Sequence, residues 1–484
     1  MNRRLVLKLL GGFIALEALL LIPSMIVAII YKEAVTPYIY TMLIMLAVGG
    51  PVWLLVKPDI HNLNAKDGLA VAGLSWILLS FFGCLPFVIS GSIPNVIDAY
   101  FEAASGFTTT GATILTEVES LPKGILFWRA FTHWIGGMGV LVLTLAILPK
   151  VTGRTSLLAK AETPGPVFSK LAPKMGDTAK ILYMIYGALT LLEFIALMAA
   201  GMPVYDALLH AVSTAGTGGF SCKNASIAAY SPLIQWIIAI FMMLFGINFA
   251  IYFHLLRKEY SGIARNEELW VYFGIILAGT ATITLNIMPY YQGDLGTSVR
   301  QAFFQINTVM STTGFNTGDY GLWPLYSRVL LVALTVFGAC AGSTAGGLKL
   351  SRVIMLFKAG VREVRHMISP RKVSVIRMEG KSVQEQTIAS LGVYLAVYVI
   401  ILLVGSVIVS LDPVEGNSVT TSFTATLTCL SNVGPGMGSV VGPVGNFAGF
   451  SQPVKLLFSI IMLAGRLEFF PLLVLVSPLL WKKS

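Results

Sequence analysis

The chain has 484 residues, 56% of them hydrophobic and 12% charged, and a formal net charge of +10. A soluble domain carries about 25% charged residues, so this composition excludes an ordinary water-soluble domain. The excess of base is gathered in particular loops, which fits orientation in a membrane rather than a nucleic-acid partner.

A helix needs about 20 apolar residues to cross a bilayer core. Ten such stretches follow one another, approximately at 5–30, 37–56, 69–90, 125–149, 179–201, 231–256, 269–289, 325–358, 387–411 and 453–479. The opening "MNRRLVLKLL" leads into an apolar run too long for a signal peptide, so it begins the first span. Four shorter pieces of about 12 residues, too short to cross, fall between spans three and four, five and six, seven and eight, and nine and ten. Loop charge sets the sidedness. Lys150, Arg154, Lys160, Lys170, Lys174 and Lys180 crowd the loop 150–180, and a second basic stretch covers 349–381. Both are expected in the cytoplasm, together with both termini. The opposite side carries Asp98, Glu102, Glu117, Glu119, Asp206, Asp294, Asp319, Asp412 and Glu415. Such acids could form a mouth that concentrates cations, or simply be left there by topology.

The short pieces are copies of one another. With Gly111, Gly219, Gly314 and Gly434 as origins, Asp98, Asp206, Gln301 and Thr421 stand thirteen residues earlier. Ser105, Ser213, Thr308 and Thr428 stand six earlier, and Thr109, Thr217, Thr312 and Asn432 two earlier. Each unit therefore reads span, short helix, polar glycine loop, span. The expected architecture is an all-α polytopic membrane protein. Two N-terminal helices (1–66) precede four units, at 67–152, 153–262, 263–380 and 381–484. Irregular backbone at membrane depth is tolerated where it is buried in protein or lines a watery path. Four such loops around one axis would turn carbonyl oxygens toward a common centre, an arrangement that replaces the water shell of a cation.

The words "SGFTTTGAT", "GGFS", "STTGFNTG", "LSNVGPGMG", "HWIGGMGVLVL", "CAGSTAGGLK" and "LAGRLEFF" carry a resemblance. Over essentially its whole length the chain resembles the TrkH/TrkG/KtrB superfamily of potassium transporters, most closely the TrkH branch. The resemblance implies four M1–pore helix–M2 repeats in pseudo-fourfold arrangement and a potassium pathway, with Rb⁺ accepted and Na⁺ possible. It also implies a homodimer in the cell (inner) membrane, and a cytosolic TrkA-type ring that carries the nucleotide, with no cofactor bound covalently to this chain. Carried over residue by residue, the filter would be Thr109-Thr110-Gly111, Thr217-Gly218-Gly219, Thr312-Thr313-Gly314 and Asn432-Val433-Gly434, with K⁺ as the only metal.

In the eighth span Gly338, Gly342, Gly346 and Gly347, with Ser343 and Thr344, should interrupt the helix, since glycine costs about 1 kcal/mol in a helix interior. A movable loop that plugs the pore is one reading, in accord with the resemblance; close helix packing through small residues is the other. Arg466 lies inside the last span, where a charge costs roughly 2.5–3.5 kcal/mol. The freed carbonyls of 338–347 are its expected partners, holding the loop closed; a structural ion pair with another span is the alternative. The stretch 349–381 suits either anionic membrane lipids or a docked regulatory ring. An alternating-access symporter, coupled to protons or sodium, is the main rival. No catalytic residues are assigned: the four cysteines and five histidines are scattered and form no metal or catalytic motif.

Overall fold

The computed structural model describes residues 2–57, 65–139, 175–372 and 374–478. The basic loop 150–180 lies outside the described residues up to 174, and so does the far end of the fourth expected span.

Helices account for nearly all of the described architecture. A kinked pair, Arg3–Leu20 and Ile22–Ile30, and the helix Thr36–Leu55 come first. Four units follow, each with a leading helix, a short helix and a trailing helix. The leading helices are Ala65–Gly83 (continued by Leu85–Ile89), Met175–Ala199, Glu267–Ile287 and Glu385–Ser410. The short helices are Val96–Phe107, Val204–Ala215, Leu295–Met310 and Val419–Ser431. Side-chain oxygens of Asn95, Asp294 and Ser418 cap the first, third and fourth at their N-termini, satisfying otherwise unpaired N–H groups. Each short helix packs on its own leading helix. The trailing helix of each unit packs on the short helix of the next, and the fourth trailing helix packs on the first short helix. The packing is thus a closed cycle.

Among the described residues six helices are long and apolar enough to cross a membrane, or seven if one bent pair counts as a span. They match six of the ten expected stretches. The remaining four are the trailing helices, and each stops early: Lys123–Gly137, Pro232–Phe245, Leu325–Thr335 and Gln452–Arg466. Hydropathy reads through these breaks because the residues after them are still apolar. The second trailing helix turns by 90° into Phe249–Leu256. The third resumes only at Leu350–Ile368, after an irregular loop. In the fourth, Glu468 and Phe469 take positive φ before Phe470–Val476 begins.

Candidate functional site

The site is the place where the four short helices end. Their C-termini carry the partial negative charge of the helix dipole, and each is followed by the same backbone turn. Two residues before the origin glycine, φ is +56° at Thr109 and +55° at Thr217, Thr312 and Asn432. At Gly111, Gly219, Gly314 and Gly434 it is +76°, +83°, +84° and +100°. Three of the eight are threonines, and left-handed backbone at a β-branched residue is a true outlier. Such strain persists only where the surroundings enforce it. Here the enforcement is visible. Thr110, Gly218, Thr313 and Val433 each donate an N–H to the carbonyl five residues back, at Ser105, Ser213, Thr308 and Thr428.

The loops then meet one another in order. A Cβ built on Gly111 would overlap the carbonyl oxygen of Gly218; one on Gly219 would overlap that of Thr313, and one on Gly314 that of Val433. Gly434 closes the circuit, with a Cβ position 2.6 Å from the oxygen of Thr110. Among the described residues these four carbonyls accept no hydrogen bond. Four unspent oxygens therefore surround one centre at the negative ends of four helices, which is an environment for a partly dehydrated cation. All twelve residues assigned to the filter from the sequence lie in this ring.

Side chains hold the ring from behind. Thr110 Oγ1 lies 2.8 Å from Thr108 Oγ1 and accepts from Asn432 Nδ2 at 2.9 Å, tying the first loop to the fourth. Thr313 repeats the first contact with Ser311 at 2.6 Å. The second loop cannot do so, because glycines stand at 216 and 218. The reason is His133, whose ring fills the space where a Cβ on Gly218 would stand and whose backbone crowds Gly216. The three glycines of "TAGTGG" thus have separate causes, one conformational and two steric.

Sequence reasoning did not single out a second layer, the braces between each short helix and the outgoing arm of its loop. Glu102 accepts from Thr113 Oγ1 at 2.9 Å and Ile114 N at 3.0 Å. His210 Nε2 lies 2.9 Å from Ser221 Oγ, and Gln305 donates to Thr317 Oγ1 at 3.4 Å. Thr424 Oγ1 exchanges hydrogen bonds with the backbone of Met437. Glu102, His210 and Gln305 each stand nine residues before their glycine, so the repeat register carried the signal. Only Glu102 is charged. It is buried against Arg129 at 2.5 Å, and Arg129 in turn stacks 3.4 Å from the centroid of Phe220.

Above the ring lies a cavity of about 190 Å³ that reaches all four origin glycines. Of the two readings of the external acids, it favours the one in which topology alone leaves them there. No Asp or Glu is among its described lining residues, which include Arg129 and Lys223. Several of the external acids are engaged elsewhere. Asp98 pairs with Lys455 at 2.9 Å, Glu119 with Lys223 at 3.3 Å, and Asp294 and Asp319 cap helices. The hydrogen bond to Glu119 holds the exposed Lys223 ammonium above its usual range, and bonding to Thr297 holds the Asp294 carboxyl below its own.

Below the ring lies the loop between Thr335 and Leu350. Gly346 N donates to Thr312 Oγ1 at 2.8 Å, and the Cα of Gly346 approaches Ser431 and Asn432 too closely to carry a side chain. Gly338 N bonds to Leu348 O at 2.8 Å, folding the loop on itself, and Gly342 O accepts from Phe249 N. Glu268 takes the N–H groups of Ala341 and Ser351 at 2.8 and 2.7 Å. Thr344 Oγ1 bonds to Phe245 O at 3.3 Å, and Ser343 Oγ to Cys340 O at 2.6 Å. Gly347 takes φ of +67°. Arg466, in the last turn of its helix, donates to Thr344 O at 2.8 Å. It also reaches Gly136 O and Gly137 O, at 2.5 and 2.7 Å, on the end of the first trailing helix. Glu468 pairs instead with Arg352. Several bases of 349–381 are likewise spent on anchoring: Lys358 pairs with Glu267, and Arg362 with Glu385.

By class the chain is a cation transporter and not an enzyme. Residues 37–483 match the family described as "TrkH: Cation transport protein", and the chain belongs to that family. It is 37% identical to the Trk system potassium uptake protein TrkH of Salmonella typhimurium, with 100% of each chain covered. It is 31% identical to the Trk system potassium uptake protein TrkG of Escherichia coli, with 99% of each covered. The crystal structure of the potassium transporter TrkH from Vibrio parahaemolyticus superposes with a TM-score of 0.87 at 31% identity, covering 100% of both chains.

Proposed function

We propose that this chain takes up potassium across the cell membrane through one pore at the centre of its four units, related by pseudo-fourfold symmetry. The selective passage is the ring formed by Thr109-Thr110-Gly111, Thr217-Gly218-Gly219, Thr312-Thr313-Gly314 and Asn432-Val433-Gly434. The observation that carries this reading is the closed circuit of glycine–carbonyl contacts, 111 to 218, 219 to 313, 314 to 433 and 434 to 110. The names of the relatives supply the ion.

The loop between Thr335 and Leu350 acts as the gate in this account, and Arg466 holds it under the ring. A TrkA-type cytosolic ring docks on the basic stretch 349–381 of a homodimer and releases the loop, with both termini on the cytoplasmic side of the inner membrane. Alternating access with a coupled ion is the second reading. It draws on the interrupted trailing helices, since broken helices around a midplane site are common in such carriers.

Uptake of Rb⁺ into liposomes by purified protein separates the two. A pore passes Rb⁺ down its gradient with no dependence on an imposed proton or sodium gradient, and external K⁺ competes more strongly than Na⁺. Accumulation that requires either coupling gradient would favour the carrier.

A further inference from the structure

Between the trailing helix Leu325–Thr335 and the fourth short helix Val419–Ser431 the surface opens into a crevice of about 730 Å³. Its floor is apolar, with Val332, Phe423 and Met437 among the lining residues. On its rim Leu325 is 67% and Val419 88% exposed. In a membrane protein such a rim faces acyl chains. One water occupies about 30 Å³ of liquid, so the crevice is large enough for a hydrocarbon chain.

The lining also carries two opposite charges, Arg328 and Asp319, which form no ion pair with each other. Among the described residues the Arg328 side chain makes no hydrogen bond or ion pair, and its Nε is buried without a partner. Asp319 uses Oδ1 to cap Gly321 N at 2.9 Å; its second oxygen makes no hydrogen bond among the described residues. Three other bases on the same side are paired with acids, Arg129 with Glu102, Lys223 with Glu119 and Lys455 with Asp98, whereas Arg300 reaches only the hydroxyl of Thr297. An unspent cation and an unspent carboxylate oxygen over one apolar floor complement a headgroup that carries both a phosphodiester and a primary ammonium. A guanidinium binds phosphate oxygens as a planar fork. An ammonium donates three N–H bonds to a carboxylate, whereas a trimethylammonium donates none.

We propose that this crevice binds an aminophospholipid of the ethanolamine type. Its phosphate sits on Arg328, its ammonium on Asp319, and an acyl chain lies along Val332 and Phe423. The site borders the helix that runs directly into the 336–349 loop. A second copy of the chain could cover the apolar rim, but the uncompensated charge pair favours the lipid.

Native mass spectrometry of the full-length protein tests this, with phosphatidylethanolamine, phosphatidylcholine and phosphatidylglycerol of matched acyl chains. Wild type should retain the ethanolamine lipid several-fold over the choline lipid. Asp319→Asn, which keeps the Oδ1 acceptor for Gly321, should erase that preference, and Arg328→Gln should lower retention of all three. Equal retention of ethanolamine and choline lipids by wild type would overturn the proposal, as would ratios unchanged in both variants. So would Val419→Cys chains that cross-link to each other with equal yield whether or not lipid is supplied, since a second copy would then fill the crevice.

Discussion

The hydroxyl oxygen of Thr312 accepts the N–H of Gly346 at 2.8 Å, joining the cation ring to the loop beneath it. Thr312 is also one of the residues held at positive φ. A strained ring position and an interrupted helix thus share one hydrogen bond, which the proposed release of the loop would break.

Thr312→Val removes that acceptor and keeps the shape. A hydrogen bond contributes about 0.5–1.5 kcal/mol net, so the loop should leave the ring about two- to tenfold more often. Rb⁺ flux without any partner protein should rise by that factor, and Thr312→Ser should stay near wild type. Identical flux in all three proteins would remove Thr312 from the gate.

Arg466 clamps three carbonyls from two segments, at Thr344, Gly136 and Gly137. Hydrogen bonds to a charged group are worth about 1.5–3 kcal/mol each, and the helix C-terminus at Gly137 adds dipole attraction. Arg466→Gln should both raise basal flux and lower the melting temperature. Lysine lacks the planar fork, so Arg466→Lys should recover only part of each. A variant that melts lower with basal flux unchanged would assign Arg466 a structural role alone.

The Glu102–Arg129 pair is buried on both sides. Removing one partner of such a pair costs about 3–5 kcal/mol, whereas removing both is often nearly neutral. Thermal unfolding should therefore place Glu102→Gln and Arg129→Met well below wild type and the double variant above either single. Additive losses in the double variant would contradict the coupling.

His133 occupies the room that a side chain at Gly218 would need. Gly218→Ala should lose folded protein through overpacking of about 1–3 kcal/mol. Adding His133→Ala should restore part of it, as judged by monodisperse size-exclusion behaviour. Equal loss with and without His133 would place the constraint in the backbone instead.

Much of this arrangement was legible in the sequence. Serine or threonine six residues before each glycine, and threonine or asparagine two before, marked the loops, and the four then meet in the predicted register. Asn432 even advertised the left-handed turn, since asparagine tolerates it best among side-chain-bearing residues. Most ends of the trailing helices were not legible, because hydropathy counts apolar residues and does not see that Gly136 must press against the carbonyl of Phe107 at a helix end. The use made of the external acids was not legible for a related reason. Sidedness places an acid outside, but only packing decides whether Lys455 or Lys223 will neutralise it.

Gly314 tests the central claim most directly. Its φ is +84°, and a Cβ there would overlap the carbonyl oxygen of Val433. Uptake of K⁺, Rb⁺, Na⁺ and Li⁺ into liposomes should be compared for wild type and Gly314→Ser. The account predicts that the serine variant loses its preference for K⁺ and Rb⁺, with Na⁺ uptake approaching that of K⁺. An undiminished K⁺ preference in a folded Gly314→Ser protein would contradict the assignment of the ring as the selective passage.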